Sequence, residues 1–390
     1  MLFLAFLLLS ATGHLAVGQI KTLSRDATVF SQHLYQRVAL DKENVVYSPF
    51  SIHSAMSMAM LGAKGETRSQ MLKTLGYNTH WVWPNADYRM LTQELNSVPF
   101  VDIRIANAVY TNPSLTIKPT YQAMVKKDFF AMFDHLNFAY PGGPEKPIND
   151  FIANATEDLI QDMVPKGSIS MDTQLMLLSA IFFNGTWEKK FLPESTTKQT
   201  FYKLGNKIVD VDMMNDNRTM NYKQDNSMAV DVVEMPFKGG RISLYIALPH
   251  KMDGITSLEK ELSNPDKVFQ LFLNLSPTKV QFSVPKFKVD TSLELGHAFV
   301  DMGMPLAFDH TRADFSGISS TKHLAISKVL HRSVLEVSES GTVAAGVTVT
   351  HMTNAEPVKP EVTFVANHPM LFFLRDKESG YVLFQGKFSA

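Results

Sequence analysis

Residues 340–355 read Ser-Gly-Thr-Val-Ala-Ala-Gly-Val-Thr-Val-Thr-His-Met-Thr-Asn-Ala, sixteen positions without Asp, Glu, Lys, Arg or a large aromatic, bracketed by Glu339 and Glu356. In an extended chain, alternate side chains face opposite ways. Thr342, Ala344, Gly346, Thr348, Thr350 and Met352 then form a small set, and Val343, Ala345, Val347, Val349 and His351 a largely β-branched one. This composition suits the middle of a sheet, where both faces are covered and an unpaired charge is expensive. It fits equally a fixed central strand or one that slides into a sheet. The next residues favour the second: 353–360, Thr-Asn-Ala-Glu-Pro-Val-Lys-Pro, are polar with two prolines and read as an exposed, protease-accessible loop.

Outward from this stretch, the chain divides by pattern. Ala27, Phe30, Leu34 and Val38 fall on one helical face, and Ser48-Pro49 caps and opens a helix running to Gly62. Thr67-x-x-Gln70 resembles a capping box for the next helix, and further helices are expected at 86–96, 119–130 and 147–163. Strand-like runs cover 101–110, 175–187, 207–214, 228–237, 242–248, 279–289 and, in pieces, 361–387. With no repeat or linker, 390 residues at 45% hydrophobic read as one α+β domain, helical first and strand-rich later. The 21 scattered methionines read as adaptable core filler.

Composition excludes several kinds of chemistry. Thirty-seven basic against 38 acidic residues leave a formal charge of -1, without the cationic excess that draws nucleic acid. The absence of cysteine removes disulfides, thiol nucleophiles and thiolate metal sites. No nucleophile elbow, zinc-helix motif or calcium loop occurs, and Val347 follows Gly341-x-x-x-x-Gly346 where a phosphate loop needs lysine. Residues 2–9 are apolar and lead to Ala16-Val17-Gly18, so residues 1–18 read as a secretory leader cut before Gln19. Four sequons fit an exported protein: Asn154, Asn184, Asn217 and Asn274. Asn217, in a polar run, is expected on an exposed loop; Asn184, beside Ile181-Phe182-Phe183, is expected to be buried and unmodified, and Asn274 is disfavoured by Ser276-Pro277.

Several separated motifs resemble the serpins. Val45-Val46-Tyr47-Ser48-Pro49-Phe50-Ser51-Ile52 is similar to the serpin shutter segment, and Phe182-Phe183-Asn184-Gly185-Thr186-Trp187 to the end of the central strand, with Trp187 in the breach. Val284-Pro285-Lys286-Phe287, Ala313-Asp314-Phe315-Ser316-Gly317-Ile318 and His368-Pro369-Met370-Leu371-Phe372-Phe373 follow in family order, so the resemblance spans Asp26 to Lys387. It implies helices packed around a large central sheet with two further sheets, and an exposed reactive-centre loop at about 339–360. The hinge pattern of inhibitory members is matched by Glu339, Gly341, Thr342, Ala344, Ala345 and Gly346.

The implied protein is no enzyme but a suicide substrate: a serine protease acylates on the loop, and the freed hinge inserts into the sheet before hydrolysis. The expected target is elastase-like, with cleavage between Ala355 and Glu356; Glu356 followed by Pro357 is a poorer site, and Met352-Thr353 would suit a chymotrypsin-like protease. Ser48, Ser51 and His331 are the implied shutter residues. Two departures from the family pattern stand out: Ser179 replaces a common asparagine, and Glu157-Asp158 a common Gly-Lys pair. Only Arg89 is basic in residues 81–96, so heparin activation is not expected. The expected product is a secreted, extracellular glycoprotein, monomeric, with a protease as partner and no cofactor, metal or membrane span. The alternative is a non-inhibitory serpin serving as carrier, chaperone or reserve.

Overall fold

The computed structural model describes residues 22–77, 84–205, 207–321, 324–342 and 360–390. In the described residues the helices are α1 (22–38), α2 (Pro49–Gly62), α3 (Gly65–Thr74), α4 (Asn85–Asn96), α5 (Pro119–Asp128), α6 (Glu145–Ala155), α7 (Ile255–Glu261), α8 (Pro265–Leu271) and α9 (Gly296–Met302). The strands are β1 (Val45–Tyr47), β2 (Val101–Thr111), β3 (Met132–His135), β4 (Leu175–Gly185), β5 (Thr196–Lys203), β6 (Lys207–Asp225) and β7 (Val230–Pro236). They continue with β8 (Ile242–Pro249), β9 (Ser276–Pro285), β10 (Phe287–Glu294), β11 (Ile326–Val337), β12 (Val362–Val365), β13 (Met370–Asp376) and β14 (Val382–Phe388).

The central sheet has the order β10-β11-β4-β2-β3. Strands β11 and β4 are parallel neighbours, laddered from Ile326↔Leu175 to Ser333↔Ile181. Beyond Ser333 they part company. Phe182–Gly185 stay paired with β2, and Val334–Val337 with β10, so the seam between β4 and β11 is closed below and open at its upper end.

β4 is apolar on both faces, as a central strand must be. Leu175, Leu177, Ile181 and Phe183 join the main core, while Met176, Leu178 and Ala180 face a second cluster with Ile148 and Ile152 of α6. That cluster also holds Ile160, Met163, Val164 and Ile169 of the connector 156–174, together with Val334 of β11. The connector therefore lies across the front of the seam. Behind the main core, α2 is buried along all fourteen residues, so its sequence carries no polar stripe. It starts as expected, with the Ser48 hydroxyl accepting from Ser51 N–H and Pro49 in the first turn.

The structure corrects several expectations. The two further sheets are one continuous nine-stranded ladder, because the 19-residue β6 pairs in turn with β5, β9 and β7. Asn217 is exposed but lies within β6, opposite Gln281, since β9 offers the polar run a partner strand. The run at 279–289 is two strands, β9 and β10, which separate at Lys286 into different sheets. Helix α6 stops at Ala155, well short of residue 163, because Glu157, Asp158 and Asp162 adopt positive φ of 50°, 60° and 51°. Thr67 is inside α3 rather than capping it, and its hydroxyl accepts from Asp314 N–H. Strands β1, β3, β5 and β11 had no counterpart among the expected runs.

Candidate functional site

The chain leaving β11 turns tightly at the open head of the seam. Ser338 N–H donates to Gly341 C=O at 2.8 Å, and the Ser338 hydroxyl to the same oxygen at 2.9 Å. Trp187 grips this turn from the end of β4: its backbone N–H bonds Ser340 C=O (3.0 Å) and its indole N–H bonds Ser338 C=O (2.8 Å). Its ring stacks on Phe237, centroids 4.2 Å apart. Glu339 is held by Lys286 at 3.0 Å and by the Thr196 hydroxyl at 2.9 Å. Burial pushes its carboxyl up, but its own backbone N–H, Lys286 and Thr196 outweigh that and hold it below its ordinary value.

Gly341 and Thr342 then point the chain back down along β4. Gly341 bridges antiparallel to Thr186, Thr342 N–H donates to Gly185 C=O (2.9 Å), and Gly185 N–H donates to the Thr342 hydroxyl (3.0 Å). Thr342 is fully buried. At Gly341, with φ +150°, a Cβ would sit 1.8 Å from Gly185 O, so only glycine lets the two backbones meet.

Lower down, buried polar side chains join α2 to three strands of the sheet. Burial pushes the His331 imidazole down to about 3, so it is neutral at physiological pH. Its Nε2 accepts from Ser48 N–H at 3.0 Å, which leaves the proton on Nδ1 to donate to Ser179 Oγ at 3.3 Å. Ser179 then donates to Ser51, Ser51 to Asn107 Oδ1, and the Asn107 amide to Ser54. Ser333 adds a bond to Val46 C=O (2.9 Å). Each residue from Ser48 to Asn107 donates a hydrogen bond to the next, which keeps these buried groups paired away from water.

Glu339, Gly341, Thr342, Trp187, Ser48, Ser51 and His331 thus lie along one seam. Ala344, Ala345, Gly346, Ala355 and Glu356 fall outside the described residues. Asn107, Ser54 and Ser333 were missed in the sequence, although Asn107 announces itself as the one amide in the apolar run Ile105-Ala106-Asn107-Ala108-Val109. Asn154 is exposed on α6, Asn184 is half-buried at the end of β4, and Asn274 is exposed just before β9. Arg89 of α4 is paired to Asp128 at 2.9 Å.

The site is a five-stranded sheet whose β4–β11 seam is open at its head, with the uncharged Gly341 and Thr342 seated there. The model of the family described as serpin, serine protease inhibitor, matches residues 25–390, and this chain belongs to that family. It is 31% identical to human Serpin B3 over 95% of this chain and 100% of that protein. It is 32% identical to human leukocyte elastase inhibitor, covering 89% of this chain and 93% of that protein. The crystal structure of Serpin48 from the insect Tenebrio molitor, titled a highly specific serpin, superposes with a TM-score of 0.84 at 27% identity over 94% and 98% of the two chains. Membership of a family of serine protease inhibitors supports an inhibitory rather than a catalytic role.

Proposed function

We propose that this chain is a secreted, monomeric inhibitor of elastase-like serine proteases that traps them by loop insertion. The observation that carries this reading is the seating of Gly341 and Thr342, uncharged and buried, at the open head of the β4–β11 seam. Continued down β4 in the register Gly341↔Thr186, the loop brings Ala344, Gly346, Thr348, Thr350 and Met352 opposite Phe183, Ile181, Ser179, Leu177 and Leu175. All five are small or uncharged, as a strand packed against the buried α2 must be.

The protease serine attacks the Ala355 carbonyl, the Ala355–Glu356 peptide bond breaks with the serine's proton passing to the leaving Glu356 nitrogen, and an ester joins the two proteins. Insertion of about 12 residues at ~3.3 Å each then carries the protease about 40 Å, away from the geometry needed for hydrolysis. The inserted strand gains ladder hydrogen bonds, worth about 0.5–1.5 kcal/mol each, together with apolar burial. Ala355 suits a narrow specificity pocket, and the likeness to a protein named leukocyte elastase inhibitor supports the same class of target. Residues 1–18 serve as the leader, and Asn217, exposed on β6, is the favoured glycan site.

Incubation with elastase-like and chymotrypsin-like proteases, followed by denaturing gels and mass spectrometry, tests the proposal. A covalent, SDS-resistant adduct and a released fragment beginning at Glu356 are expected. Loop cleavage without adduct across the panel would sink inhibition and favour a carrier or reserve role. N-terminal sequencing of protein recovered from the medium should begin at Gln19.

A further inference from the structure

Two arginines on the front of the central sheet hold the connector 156–174 from opposite sides of the seam. Arg332 of β11 forms a bidentate pair with Asp290 of β10, through Nε at 3.0 Å and Nη2 at 2.8 Å. That pairing aims Nη1 at the carbonyl of Gln161, 2.5 Å away. Across the seam, Arg104 of β2 reaches Glu157 at 2.6 Å, its guanidinium set by Asp102 and lying 5.8 Å from the centroid of the Phe182 ring. Glu157 and Gln161 are four residues apart, on a stretch whose apolar side chains Ile160, Met163 and Val164 already cover β4 and β11.

From this geometry we propose that Arg104–Glu157 and Arg332–Gln161 form a latch across the seam that sets the rate of strand insertion. The proposal rests on the insertion reading above. A new strand between β4 and β11 moves β11 away from β2 by one strand spacing, about 4.8 Å. The two arginines separate by the same amount, so one contact breaks or the backbone between Glu157 and Gln161 uncoils. Either event raises the barrier to opening. Both side chains of the Arg104–Glu157 pair are substantially exposed, at 41% and 51%, so the tie is weak and weakened further by salt. Arg332 is better shielded, and its bond to a carbonyl is charge-assisted.

The test uses the intact protein and a synthetic peptide of residues 342–352, which fills the seam without any protease. Annealing is followed by the rise in thermal stability of the binary complex. Glu157→Gln should anneal about threefold faster, and Arg332→Gln about tenfold faster. Added salt should accelerate annealing of the wild type but not of Glu157→Gln, a response that a merely structural role of Glu157 would not produce. Lys146→Gln, which removes an exposed ion pair of 2.7 Å within α6, should leave the rate unchanged. Equal rates for wild type, Glu157→Gln and Arg332→Gln overturn the latch alone. A peptide that anneals to none of them overturns the insertion mechanism and the latch with it.

Discussion

The upper and lower halves of the β4–β11 seam are made from the same two strands and behave oppositely. Below, Leu175–Ile181 and Ile326–Ser333 form a parallel ladder with one register shift between Ile326 and Lys328, backed by the polar chain from His331 to Ser54. Above, Phe182–Gly185 and Val334–Val337 lack that ladder, and the hinge enters between them with Thr342 bonded to Gly185. The same two strands are therefore joined at one end of the seam and separate at the other. On the proposed insertion, the lower hydrogen bonds act as a pin and the docked Gly341–Thr342 as a start.

The sharpest way to break that contrast is at the start. Thr342→Arg places a charge at a fully buried position, and the resulting penalty should raise the number of inhibitor molecules consumed per protease trapped by about tenfold or more. An unchanged stoichiometry would show that Thr342 does not lead the insertion. At the pin, His331→Ala leaves Ser48 N–H without its acceptor and Ser179 without its donor, and should cost about 2–4 kcal/mol in denaturant unfolding.

Acid should loosen the pin more gently. The folded pKa of His331, about 3, lies below the ordinary 6.5, so its contribution to stability is complete above pH 6.5 and is lost progressively as pH falls toward 3. At pH 5 the loss reaches at most about 2 kcal/mol, so peptide annealing should run severalfold faster than at pH 7.5. Global unfolding is a poorer readout of this step. Burial pushes Asp26 of α1 and Asp87 of α4 up to about 6, and such carboxyls favour the fold as pH falls through that value, opposing the histidine. The smallest effect is expected far from the seam: Asn217→Gln should remove one glycan by mass spectrometry and leave the inhibition rate unchanged.

Much of this architecture was legible in local patterns. The cap at Ser48, the buried run of β4 and the uncharged hinge each follow from side-chain chemistry within a few residues. Errors came where a distant partner overruled the local signal. The polar run Asn215-Asp216-Asn217-Arg218 looks like a loop, yet β9 lies beside it and Asn215 is satisfied by Ser195 C=O and Ser283. The apolar spacing through Met163 looks helical, but Glu157, Asp158 and Asp162 turn the chain so that the same residues cover the seam. β11 was overlooked because Lys328, His331 and Arg332 interrupt its apolar residues; Arg332 finds Asp290, and His331 gives up its charge.

By itself the sequence determined that residues 340–355 carry no charge, that Ser48 opens a buried helix, and that no cysteine staples the sheet. Composition decides these matters, because desolvation and capping act on residues one at a time or within a turn. Only the tertiary structure decided that β4 and β11 are neighbours with an open head, that His331 is neutral and completes a hydrogen-bonded chain from Ser48 to Ser54, and that Glu157 pairs with Arg104 beside the seam. Those properties belong to contacts between residues tens to hundreds of positions apart, where geometry rather than residue type sets the energy.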